Sequence, residues 1–168
     1  DLHILQIKKS SLLTGNHDID TIWFSYSDQT DFSPAEANQT DFDCEAMIVT
    51  GDSIYLFTKQ WISAQTSLYR LPKTPGSHHA LYMDTYDIQG LITGATCLGS
   101  ESLVVLCGYT GMMQPFLYLL YDFRDQDFFS GNKRRITMSL PFHQIEGIAT
   151  RDGLKYYISN ESLVIEPF

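Results

Sequence analysis

The stretch "DCEAMIVTGDSIYLFTKQ", Asp43 to Gln60, returns as "QIEGIATRDGLKYYISNE", Gln144 to Glu161, with a third version, "ITGATCLGSESLVVLCGY", between them. This recurrence restricts the fold more than any other feature. Laid over one another, the outer two share only two identities, Glu45 with Glu146 and Tyr55 with Tyr156. Their residue classes agree further: Ala46 with Gly147, Met47 with Ile148, Thr58 with Ser159, and a GDS turn against RDG. In the middle version Thr93 takes the glutamate position and the turn is one residue longer. Each version is followed by a short apolar element, SLYRL from Ser67, FLYLL from Phe116 and SLVIE from Ser162, and DLHIL opens the chain as a fourth. Glu45 to Thr93 is 48 residues and Thr93 to Glu146 is 53, the length of a four-stranded unit.

Between these landmarks, short runs rich in Tyr, Phe, Ile, Val, Leu and Thr alternate with Gly, Asp, Asn, Ser and Pro, and none keeps a 3.6-residue period over a helical length. The chain is therefore expected to be all-β. Each unit supplies four strands in one order: EAMIVT, ITGATCL or IEGIAT first, SIYLFTKQ, SLVVLCGY or LKYYISNE second, the Leu-Tyr element third, and HALYMDTYDI or RRITMSL fourth. Repeats of this kind predict a β-propeller of four-stranded antiparallel blades, with slightly more than three present. Residues 1–27 are read as the end of one blade, 44–88 and 91–140 as complete blades, and 144–168 as the start of a last one. A jelly roll is the alternative architecture. One helical turn is expected at FSPAEAN, with Ser33, Pro34 and Glu36 at N-cap, N1 and N3. A propeller closes with roughly four to eight blades, so the ring needs missing N-terminal blades or a second polypeptide.

With 168 residues, 43% of them hydrophobic, the chain can bury a sizeable core. Its 11 Lys and Arg against 20 Asp and Glu leave a net charge of -9, which disfavours nucleic acid and anionic membrane surfaces as partners. The basic run Lys133, Arg134, Arg135 reads as a solvated strand start. No apolar run approaches the roughly 18 residues of a transmembrane segment, and no charged-then-apolar signal opens the chain. A chain that starts at Asp1 without Met is read as a mature or trimmed product. Cys44, Cys97 and Cys107 each sit in an apolar run and are expected as free, small hydrophobes.

The residues that could carry chemistry are few. GDSI, Gly51 to Ile54, resembles an esterase serine block, but the other copies carry RDGL and GSES there, so a hairpin turn is expected. No G-x-S-x-G elbow, Walker loop, G-x-G-x-x-G or H-E-x-x-H occurs. His78 and His79 are adjacent and read as loop residues. Asp122, Asp125 and Asp127 lack the Gly and the oxygen ligand of a calcium loop and read as a solvated turn. The sequons at Asn38 and Asn160 matter only in a eukaryotic secretory setting. Glu45 and Glu146 are the candidate site residues. Both stand at the start of a first strand, the strand that lines a propeller channel, so two carboxylates from different blades would converge there. With Asp43 beside them they could hold a Ca²⁺ ion or face a ligand. The competing role is a fastener, each Glu accepting backbone N–H groups of the adjoining blade.

The strings "SYSDQTDF", "DCEAMIVTGDSIYLFTKQW", "TSLYRLPKTPG", "GLITGA", "VLCGY", "PFLYLLYDF", "GNKRRI", "QIEGI" and "YYISNE", in this order, resemble the C-terminal half of a group of uncharacterised exported β-propeller proteins of Bacteroidetes, some with a type IX secretion sorting tail. The resemblance implies earlier blades before Asp1 and an extracytoplasmic location, secreted, periplasmic or on the cell surface. The function expected is a non-catalytic binding or scaffold propeller of unknown ligand. The alternative is a propeller hydrolase, lactonase or phytase-like, with Ca²⁺ in the channel.

Overall fold

A computed structural model of the chain describes residues 2–15, 18–33, 36–99, 102–140 and 142–161. They form twelve strands: β1 (Leu2–Ile7), β2 (Ile19–Tyr26), β3 (Asp43–Thr50), β4 (Ser53–Lys59), β5 (Thr66–Pro72), β6 (Gly76–Tyr86), β7 (Leu91–Leu98), β8 (Leu103–Tyr109), β9 (Pro115–Tyr121), β10 (Asn132–Thr137), β11 (Ile145–Thr150) and β12 (Tyr156–Asn160). A 3-10 turn at Lys9–Ser11 is the helical element among the described residues. The fold is all-β. Pro34 and Ala35, the centre of the expected helical turn, lie outside the described residues, as does SLVIE.

Strands β3 to β6 pair in chain order as an antiparallel meander, β7 to β10 form a second one, and β11 and β12 form a hairpin. The first sheet has six strands. The β1–β2 hairpin joins it through β2, which runs parallel to β6 from Ile22↔Gly76 to Tyr26↔Ala80. Residues 1–27, expected in a blade of their own, are thus joined here to the first meander. The cause is the length of β6: only Leu81 to Tyr86 pair with β5, so Gly76 to Ala80 extend past it and accept β2. Strand β10 has no such overhang, since all six of its residues pair with β9. His78 and His79 lie on β6, not in a loop. His79 Nδ1 meets Ser25 Oγ at 2.9 Å, and His78 Nε2 meets the Thr74 carbonyl at 2.9 Å.

The sheets stack face to face. Tyr55, Phe57 and Leu68 of the first meander pack against Val104, Leu106, Phe116 and Tyr118 of the second. On the first meander's other face, Ile54, Leu56, Tyr69 and Leu71 meet Ile22 and Tyr26 of β2, with Ile4 and Phe24 alongside. The second meander's far face, Val105, Cys107 and Leu117, receives Ile145, Ile148 and Tyr156. Because side chains alternate along a strand, β4 sends Ile54 and Leu56 one way and Tyr55 and Phe57 the other. Both faces are covered, which is why IYLF, Ile54 to Phe57, reads as an unbroken apolar run. Each such side chain stabilises the stack by about 1.5–3 kcal/mol.

Three irregularities recur at matching places. Each first strand is bulged, between Cys44 and Ala46, Ile92 and Gly94, and Ile145 and Gly147, so that Glu45, Thr93 and Glu146 are the extra residues. Gly94 then lets β7 approach β11: a Cβ there would lie 2.8 Å from Cys107 Sγ and 3.2 Å from Gly147 Cα. The loops after β4 and β8 each turn through a left-handed residue, Ala64 and Met113, both with φ 54°. Their carbonyls accept the N–H of the residue leading into the next first strand, Gly90 at 3.0 Å and His143 at 3.3 Å.

The cysteines are free; Cys107 is buried and the other two half-buried. Burial pushes the Cys44 thiol up to about 11 and that of Cys107 up to about 12. Among the described residues no helix is long and apolar enough to cross a membrane.

Candidate functional site

The bulge residues define a point on each first strand, and cross-strand pairing defines its partner on the second. Asp43 pairs with Lys59 and Leu91 with Tyr109. In the third unit Ile145 pairs with Asn160, as Cys44 does with Thr58, which puts Glu161 level with Lys59. Three equivalent pairs therefore stand at one end of the stack: Glu45 with Lys59, Thr93 with Tyr109, and Glu146 with Glu161.

In the first pair, Lys59 Nζ donates to both carboxylate oxygens of Glu45, at 2.9 and 3.0 Å. The lysine side chain is 5% exposed and that of Glu45 34%. Two rings flank the ammonium, Trp61 with its centroid at 4.5 Å and Tyr109 at 5.5 Å. These negative ring faces are the surroundings a partly desolvated cation accepts. Asp43 Oδ2 takes the Trp61 indole N–H at 2.9 Å, which fixes that ring. Burial works against the lysine's charge more than any one partner favours it, but the hydrogen bonds and charge of Glu45, with Tyr109, together outweigh it and hold the Lys59 pKa above its ordinary value. Burial raises the Tyr109 phenol, opposed by Lys59.

The second pair does something else. Thr93, 1% exposed, donates its hydroxyl to the Ile145 carbonyl of the neighbouring unit. This is the fastening role that the sequence offered to the glutamates. Glu45 instead bonds a lysine of its own sheet.

The third pair has two carboxylates and no lysine. Among the described residues Glu146 has no hydrogen-bond or ion-pair partner, and burial together with Glu45 raises its pKa, with Lys59 opposing and Glu161 adding. The charges of Glu45 and Lys59 both act on the Glu146 carboxyl, in opposite directions. Around Glu45 the donor set is that of an ion pair and not of a Ca²⁺ shell, which takes about 6–8 oxygens. Among the described residues no group of three or more His, Cys, Asp or Glu is gathered as a metal site.

Lys59, Trp61, Tyr109 and Glu161 were not singled out from the sequence. Lys59, Tyr109 and Glu161 share one position at the end of each second strand, which hairpins of unequal length obscure in the sequence, and Trp61 follows two residues after the first of them. The paired Val49 and Ile54 enclose four residues, with Gly51 of the turn at φ 58°, whereas their equivalents Thr150 and Tyr156 enclose five. Tyr55 therefore matches Tyr157, not Tyr156, and Lys59 matches Glu161, not Asn160.

The loops at this end carry exposed apolar tips, Ile62 after β4, Met112 after β8 and Phe142 before β11. A separate cavity of about 140 Å³ lies at the opposite end, between Ile48, Cys97, Val104 and Phe128. No protein-family model, curated protein or solved structure matches this chain.

Proposed function

We propose that the chain is a run of β-propeller blades acting as a non-catalytic binding or scaffold module outside the cytoplasm, with the end bearing Glu45, Lys59 and Glu146 as its ligand face. One observation carries the reading: the extra residue of the bulge recurs at the same point of β3, β7 and β11. Repeated units that stack face to face while keeping the first strand on one side converge on a common axis. The same end offers what a macromolecular ligand face uses, a charged centre with an aromatic anchor and exposed apolar loop tips around it. The extracytoplasmic location rests on the resemblance to exported Bacteroidetes propellers.

A second reading has one observation in its favour. Glu146, unpaired and with its pKa raised, is the type of carboxyl that a hydrolase uses as an acid or that Ca²⁺ would neutralise. Immobilised peptide and polysaccharide arrays separate the two readings, probed with wild type, Trp61→Ala and Ile62→Ser. Retention lost in these variants, with thermal midpoints unchanged, supports the binding face. Calcium-dependent hydrolysis of a lactone or phosphate ester, abolished by chelator and by Glu146→Gln, overturns it in favour of the hydrolase.

A further inference from the structure

The two meanders differ most in one connection. Strands β5 and β6 are joined by residues 73–75, whereas β9 and β10 are joined by residues 122–131, ten in place of three. The longer connection is folded in its own right: the Asp127 N–H donates to the Arg124 carbonyl at 2.9 Å, the Ser130 N–H to the Asp127 carbonyl at 3.0 Å, and Asn132 Nδ2 to Asp122 Oδ2 at 3.0 Å. It reaches across to the first meander. The Phe128 ring, 2% exposed, meets that of Tyr55 edge-on at 5.0 Å, and Phe123 backs it at 5.0 Å. With β3, β7 and β8, this insertion lines the cavity of about 140 Å³ at the end away from Lys59.

We propose that this cavity binds a small monocyclic amine, at a site separate from the face around Lys59. Its size suits one ring, since an apolar cavity of about 150 Å³ holds a benzene molecule. Ile48, Val104 and Phe128, all buried, give it an apolar floor. Asp125 and Gln126 line it from the exposed side, so a ring seated on the floor turns its polar substituent toward a carboxylate. Charge selects that substituent. The insertion carries Asp122, Asp125 and Asp127 against Arg124 alone, on a chain of net charge -9, which draws a cation and repels an anion. The walls are also set in advance, because the insertion is held by its own hydrogen bonds and by the Phe128 contacts, and little ordering is left for the ligand to bring about. In stacked repeats, insertions confined to one unit are the loops that build a binding face.

Benzylamine is the probe, with benzyl alcohol and benzoate as its neutral and anionic counterparts. Isothermal titration of the full chain is expected to give saturable one-site binding of benzylamine and none of benzoate. Amide resonances are expected to move at Ile48, Cys97 and Phe128 while those of Lys59 and Trp61 stay in place. Asp125→Asn is expected to weaken benzylamine about tenfold and to leave benzyl alcohol unchanged. Cys97 forms part of the wall, its Sγ 3.9 Å from the Val49 carbonyl oxygen. Cys97→Phe puts a ring into the same space and is expected to abolish binding of both, with a thermal midpoint no lower than that of wild type. Absence of saturable binding overturns the inference, as do benzoate binding as tight as that of benzylamine and resonance shifts that avoid the cavity. Should Cys97→Phe not fold, the resonance map of the wild type decides by itself.

Discussion

Lys59 and Glu45 form a two-pronged ion pair, 2.9 and 3.0 Å, between the end of β4 and the bulge of β3. The lysine is enclosed and the glutamate a third exposed, so removing one partner costs less than in a fully buried pair. Lys59→Met is expected to destabilise by about 1–3 kcal/mol, because it leaves the Glu45 carboxylate without its cation. Glu45→Gln is expected to cost less, since water can reach the amide. Urea unfolding of both single variants and the double variant measures the coupling; additive effects would mean that the pair contributes nothing.

Glu146 gives a pH dependence of defined sign. Its pKa is raised by burial and by Glu45, so the folded state holds the proton more tightly than the unfolded state. Stability therefore falls as pH rises through the titration of this carboxyl and is highest below it. Glu146→Gln should raise the thermal midpoint at pH 7 and have little effect at pH 3. A midpoint lowered at pH 7 would show that the carboxylate has a stabilising partner.

The strand order of the two meanders could be read from the sequence because both faces of β4 and β8 are buried, which leaves unbroken apolar runs between turn residues. The importance of the Glu45 position was also legible, through its recurrence at Glu146. What it does was not, because the partner of Glu45 comes from cross-strand register, and register depends on hairpin length. Four residues between Val49 and Ile54 against five between the equivalent Thr150 and Tyr156 moved the third copy by one place and hid Glu161. The pairing of β2 with β6 was equally out of reach, since nothing local in GSHHALYMDTY says where β5 stops pairing with it.

Thr93 holds the second meander to the third unit through one buried hydroxyl, donated to the Ile145 carbonyl. Thr93→Val keeps the shape and β-branching but leaves that carbonyl without its donor, and should cost about 1–3 kcal/mol. Thr93→Ser keeps the donor and should cost less. Hydrogen exchange locates the effect: faster exchange confined to β11 and β12 is expected for Val, and uniform acceleration would place the role of Thr93 elsewhere.

Gly94 tests the closeness of the first strands themselves. Replacing glycine by alanine in a strand ordinarily stabilises slightly, by about 0.4–1 kcal/mol, through the unfolded state. At Gly94 the new methyl would lie 2.8 Å from Cys107 Sγ, 3.2 Å from Gly147 Cα and 3.3 Å from the Glu146 carbonyl oxygen. Overpacking of this kind costs about 1–3 kcal/mol, so the sign reverses. Gly99→Ala is the control, because nothing lies within 4 Å of its Cβ position. Cys107→Ala added to Gly94→Ala removes the nearest obstacle and should recover part of the loss, while the backbone of β11 still limits the recovery. If Gly94→Ala matched Gly99→Ala in urea midpoint, β7 and β11 would not be in the contact that holds the bulges of successive units together.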